Sequence, residues 1–232
     1  MRMKILRATL DNCAGATGVA VAIDVIRAFT TAAFGLAAGA ERILLCGTVA
    51  EALALREHFP GSLVMGEVGG LQPPGFDFGN SPAALTGLDL SGRTLIQRTS
   101  AGTQGPVRAA RAAAVFGASF VVAGATAHVL RAAALQLEEV TLIATGVRPE
   151  DNGDEDVALA DYLQGLLRGD SPDPAPYLDR ARRSAAAQKF YDPAQLDFPA
   201  ADMDCCLALD RFNFALRVTR EEGLLVLNKQ II

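Results

Sequence analysis

Tryptophan is missing from the 232 residues, and aromatic residues make up only 6% of them, so the chain has little with which to stack nucleobases. An excess of positive charge is also missing. The 21 Lys and Arg are outnumbered by 26 Asp and Glu, for a formal charge of −5, which argues against a nucleic-acid surface. No apolar run approaches the roughly 20 residues that a membrane span needs. The opening "MRMKILRATLDN" lacks the continuous apolar core of a signal peptide, so a cytoplasmic protein is expected. Histidine is scarce: His58 and His128 stand apart, which gives thin support to a histidine-ligated zinc enzyme or a Ser-His-Asp hydrolase. The four cysteines, Cys13, Cys46, Cys205 and Cys206, form no CxxC pair. The adjacent Cys205 and Cys206 have the wrong geometry to bridge each other, and all four read as small buried thiols.

Half of the residues are hydrophobic and a fifth are charged, the balance of a compact globular chain. Short apolar runs alternate with Ala- and Leu-rich helical segments, the pattern of a layered α/β/α fold with a largely parallel sheet. Strands are expected at 19–25, 43–46, 62–67, 94–97, 120–123, 140–144 and 224–227. Helices are expected at 30–38, closed by Gly39, and at 48–58, opened by a Thr48–Glu51 capping box. Others are expected at 104–115, 126–136 and 154–167, with two more beyond. "GDSPDPAP" is the best candidate for a boundary. No repeat of fixed period is present, so residues 1–232 read as a single α/β domain with a modest C-terminal elaboration from about 170. Within that elaboration, "LALDRFNFALRV" is apolar enough to pack on the main sheet. Small α/β enzymes are commonly symmetric dimers, which makes a homodimer the expectation.

Ligands of parallel sheets bind beyond the carboxyl ends of the strands. The residues in those places are polar. Asp24 and Arg27 follow the first long apolar run, and Glu67, Gly69 and Gly70 follow "LVMG". Arg98, Thr99 and Ser100 follow the run at 94–97, and Thr145 and Gly146 the one at 140–144. The stretch "RTSAGTQGP" is a Gly/Ser/Thr-rich turn entering a helix, which suits an anion through free N–H groups and the helix dipole. The fork of Arg98 adds donors for phosphate or sulfonate oxygens. It lacks the Gly-Lys-Ser/Thr of a P-loop, and an ordinary polar loop with capping hydroxyls accounts for it equally well.

Asp24, together with Glu67 or the Glu155–Asp156 pair, could supply the oxygen ligands of Mg2+, although acids opening a helix also serve the helix dipole alone. Asn80 and Ser81, before Pro82, either cap a helix or reach a ligand.

Together, "IDVIRAFTTA", "GEVGG", "GFDFGNSP", "RTSAGT" and the Glu155–Asp156 pair, in this order, resemble the 2-phosphosulfolactate phosphatase (ComB-like) family. The resemblance runs from Val19 to the final strand. The chain departs from the family pattern at Phe29, Val68 and Ala101, the last two being places where a polar donor is common. The resemblance implies an α/β fold and a magnesium-dependent phosphatase acting on a small anionic phosphoester, the phosphate ester of a sulfonated hydroxy acid, in a step of coenzyme M biosynthesis. It carries function onto Asp24, Arg27, Glu67, Asn80, Ser81, Arg98, Thr99, Ser100, Gly102, Thr103, Glu155 and Asp156.

Among these, Asp24, Arg27 and Arg98 are the expected catalytic residues. Asn80, Ser81, Thr99, Ser100, Gly102 and Thr103 are the expected substrate contacts, and Asp24, Glu67, Glu155 and Asp156 the expected metal ligands. Asp24 is either the nucleophile or a metal ligand, since the second Asp of a DxD pair is replaced by Ile26. A non-catalytic protein that binds a phosphorylated or sulfonated metabolite is the rival class. So is a phosphatase for a different phospho-hydroxy acid.

Overall fold

The computed structural model describes residues 3–137, 139–149 and 151–232. Strand β1 is Lys4–Thr9, and β2 is Val19–Ile23, an apolar run buried at every residue. Such a run suits a strand covered on both faces. Helix α1 (Ala28–Ala37) follows, ended at Gly39, whose φ of 104° a side chain would resist.

Next come β3 (Arg42–Cys46) and α2 (Val49–His58). The expected capping box is present at the start of α2. Thr48 accepts from the Glu51 amide at 3.1 Å, and the Glu51 carboxylate reaches back to the Gly47 amide at 2.9 Å. Then follow β4 (Leu63–Gly66), the single turn α3 (Pro82–Leu85), β5 (Thr94–Arg98) and the short α4 (Gln104–Arg108).

The stretch after α4 corrects the sequence reading. The helix expected over 104–115 stops at Arg108, and Ala114–Ala118 forms β6. Residues 120–123, expected as a strand, are instead a 3-10 turn (Phe120–Val122) leading into α5 (Ala123–Leu137). Pairing of β6 with β2, Val19 beside Ala114 through Ile23 beside Ala118, outweighs the helical preference of the alanines. Phe120, Val121 and Val122 are wholly buried, and in such a segment no alternation separates strand from helix.

The chain continues through β7 (Glu139–Ala144), α6 (Asp154–Arg168), α7 (Ala175–Arg183), α8 (Ala185–Gln188), a 3-10 turn Lys189–Tyr191 and α9 (Ala201–Cys206). It ends in a hairpin of β8 (Phe214–Glu221) and β9 (Leu224–Ile231). Arg180 holds α7 against α6 through Asp154 and Asp161. Among the described residues no helix is long and apolar enough to cross a membrane.

The nine strands among the described residues form one mixed sheet in the order β1-β7-β2-β6-β8-β9-β3-β5-β4. One parallel block is β1-β7-β2-β6, and the other is β3-β5-β4. The hairpin, with "FALRV" as part of β8, lies between them. Three successive antiparallel pairings, β6–β8, β8–β9 and β9–β3, therefore turn the second block against the first along the ladder. In a flat sheet the carboxyl ends of the two blocks would face opposite ways.

The sheet is not flat. The Gln97 side chain on β5 donates to the Ala28 carbonyl at 2.9 Å, and Gly105 packs against Ala22 of β2, although four strands separate β5 from β2. Curling, in the sense that sheet twist accumulates, brings the end of β5 onto the end of β2. Alternation along β2 divides the interior. Val19, Val21 and Ile23 join the core under α5 and α6, while Ala22 joins the one around α1.

Candidate active site

A cavity of about 270 Å3 lies where these ends meet. It is smaller than the roughly 300–1,000 Å3 of drug-sized pockets, so its ligand is small. A larger hollow of about 1050 Å3, beside Ile5, His128, Arg131 and Leu166, has Asp170 as its sole carboxylate among the described residues. It offers no comparable chemistry.

Asp24 leaves β2 at the floor of the small cavity and is 6% exposed. One of its oxygens accepts the Ala28 amide at 2.9 Å, and the Thr145 hydroxyl lies 3.5 Å from the other. Gly102 packs so closely that a Cβ there would stand 2.8 Å from Asp24 Oδ2, which is why the loop after β5 needs glycine at this point.

Glu155 and Asp156 open α6 and are both buried. Asp156 accepts the Val25 amide at 2.9 Å and the Gly146 amide at 2.7 Å, which ties the end of β2 to the loop after β7. Among the described residues Glu155 Oε2 has no hydrogen-bond partner, nor has Oδ1 of Asn80, which lines the same cavity. Burial, reinforced by neighbouring negative charge, pushes Asp24 up to about 6, Glu155 up to about 7 and Asp156 well above the usual carboxylate range.

Carboxyls raised in this way favour the fold only while protonated. With no cation present, their contribution is complete below about pH 4 and is lost as pH rises through about 6 to 7. Denaturant unfolding of metal-stripped protein should therefore show stability falling by on the order of 3 kcal/mol between pH 5 and pH 8, and Glu155→Gln should flatten the slope. A level profile in the unaltered protein would count against the buried acid cluster.

The other expected residues divide between lining and scaffold. Glu67 and Ser100 line the cavity. The two oxygens of Glu67 are engaged by the amides of Ser100 and Gly70 and by the Ser100 hydroxyl. Thr99 and Thr103 face each other rather than the cavity, each hydroxyl accepting the other's amide at 3.0 Å. Three amides of the "RTSAGT" loop are thus spent on the protein's own groups, that of Ser100 on Glu67 and those of Thr99 and Thr103 on each other's hydroxyls. Arg98 stands behind the cavity wall and donates to the Gly47 and Glu67 carbonyls. Ser81 caps α3 through the Ala84 amide and donates to Asp202 at 2.6 Å.

Arg27 lines the cavity but is held in place, with Nη1 on Asp202 at 2.7 Å and Nη2 on the Gly70 carbonyl at 3.2 Å. Its guanidinium lies over Phe190 and Phe198. The Ile26–Arg27 peptide bond is cis.

Sequence reasoning missed two cavity cations, Arg148 and Lys189, along with Asp151. Arg148 was within reach of the strand-end rule, which was followed only as far as Gly146. Lys189 comes from the C-terminal segment and no local motif marks it. Hard oxygen donors dominate the set, as magnesium requires. Among the described residues no three His, Cys, Asp or Glu side chains are grouped to hold a metal ion, so a cation here would have at most two such protein ligands and would be completed by water and substrate oxygens.

Comparison with known proteins agrees with the motif reading. The family model described as 2-phosphosulpholactate phosphatase matches residues 6–221. A protein of Bacillus subtilis named "Probable 2-phosphosulfolactate phosphatase" is 31% identical over 213 residues, 91% of this chain and 92% of its own length. One of Thermus thermophilus with the same name is 37% identical over 182 residues, 76% of this chain and 73% of its own.

Proposed function

Because the chain belongs to the 2-phosphosulfolactate phosphatase family, we propose that it hydrolyses 2-phosphosulfolactate, the phosphate ester of a small sulfonated hydroxy acid, to sulfolactate and phosphate, with magnesium. The observation that carries this reading is the meeting of Asp24, Glu155 and Asp156 with Arg148 in one small cavity. Bare carboxylates repel a phosphate ester, and a cation among them reverses that repulsion. Asp24 and Asp156 would hold the ion, helped by the unpartnered Asn80 Oδ1. Bound magnesium supplies Lewis-acid polarisation of the phosphoryl oxygens and a lowered pKa for a coordinated water.

The chain's own groups do the rest. Arg148, the cation whose charge bears on Asp24, balances charge on the transferring phosphoryl group. Glu155, raised to about 7 and with Oε2 unpartnered, is suited to orient the attacking water and accept its proton. The Ala28 amide and the close packing of Gly102 hold Asp24 in place.

The test is phosphate release from 2-phosphosulfolactate and a panel of small phosphoesters, with magnesium and with chelator. Release from the sulfonated ester that depends on magnesium is expected. No release from any ester under either condition would overturn the phosphatase reading in favour of a binding protein.

A further inference from the structure

The cations of the cavity fall into two groups. Arg148 is the one whose charge acts on Asp24, whereas the strongest charge acting on Lys189 is that of Arg27. Lys189 begins the 3-10 turn after α8, and its ammonium lies 4.3 Å from the Phe198 ring centroid and beside Gly70. Among the described residues it forms no hydrogen bond and no ion pair. Arg27 beside it already has Asp202 as counter-ion. Burial, with the charge of Arg27 adding to it, pulls the Lys189 ammonium below its usual range. The cavity therefore holds a half-buried ammonium that no carboxylate among the described residues pairs directly, Glu67, Glu155 and Asp151 acting on it only from a distance.

We propose that Lys189 is the specificity-determining residue of the site, binding the second anionic group of the substrate, a sulfonate or carboxylate on the organic part of the phosphoester. The assignment rests on the phosphatase reading for the phosphoryl end of the cavity. An ammonium offers three donors to a tetrahedral or planar oxyanion, and the rings of Phe190 and Phe198 remove competing water from around it. A phosphoester of an uncharged alcohol has nothing to place there. Recognition of the leaving group thus belongs to the C-terminal segment, apart from the strand ends that carry the phosphoryl chemistry.

The experiment compares wild type, Lys189→Met and Lys189→Arg in two assays. The first measures the ratio of kcat/KM for 2-phosphosulfolactate to that for ethyl phosphate. The second measures sulfolactate binding by calorimetry. Lys189→Met should lower the ratio by roughly 10- to 100-fold, the usual loss for a hydrogen bond to a charged group. The change should lie in KM rather than kcat, with a similar loss of sulfolactate affinity, and Lys189→Arg should recover part of both. An unchanged ratio and unchanged affinity in Lys189→Met would overturn the assignment while leaving the phosphatase reading intact. Failure of the wild type to hydrolyse either ester would end the reading as a 2-phosphosulfolactate phosphatase instead, and the calorimetry would still decide the role of Lys189.

Discussion

Asp24→Asn should lower turnover by about a thousandfold, the scale seen when one preorganised charge-stabilising group is removed, while raising rather than lowering thermal stability in the absence of metal. Both effects have one cause. Asn keeps an oxygen to accept the Ala28 amide, so the turn into α1 survives. The lost negative charge is one that burial and the neighbouring carboxylates already disfavour. Its removal relieves Asp156 and Glu155, each of which is raised in part by Asp24. A gain in stability paired with a loss of activity is the mark of a residue kept for chemistry rather than for folding. Quenched reactions with a labelled substrate should trap no phosphoenzyme, since Asp24 is assigned to the cation rather than to attack on phosphorus. A covalent phosphoryl group present in wild type and absent from the variant would make Asp24 the nucleophile. Wild-type turnover by the variant would remove Asp24 from the reaction altogether.

Asp202→Ala should be the most damaging change to stability. Asp202 is completely buried, and its two oxygens hold Arg27, the Ser81 hydroxyl and the Ala83 amide. Deleting it strands the buried Arg27 guanidinium beside Lys189, where two positive charges would share one wall. Breaking a buried ion pair on one side costs about 3–5 kcal/mol, which for a chain of this size lowers Tm by roughly 10 °C. Replacing both partners, Arg27→Met with Asp202→Leu, should recover much of that stability while leaving the substrate wall without its guanidinium. Chemical denaturation of the single and double variants measures both effects. A loss below about 1 kcal/mol in Asp202→Ala would show that the pair is dispensable.

What could be read from the sequence was local. An apolar run that stops at an aspartate identified β2 and Asp24. The capping of α2 by Thr48 and of α3 by Ser81 and Pro82 follows from residues within four positions of one another. The errors arose where distant partners decide. Residues 109–113, four alanines around Arg111, carry a helical preference, yet β6 begins at Ala114 because β2 lies alongside it. The Arg98 side chain was expected to face the ligand, but two backbone carbonyls behind the wall claim it. Lys189 enters the cavity only because the C-terminal segment is folded back over it. The expected convergence of strand ends does occur, though by a route the strand-end rule does not describe, since the two blocks oppose each other along the ladder.

That opposition gives the last 19 residues a part out of proportion to their chemistry. No residue of β8 or β9 lines the cavity, yet the two strands are the clasp by which one half of the molecule is folded against the other. A chain cut before Phe214 would retain every side chain that lines the cavity and still have no cavity.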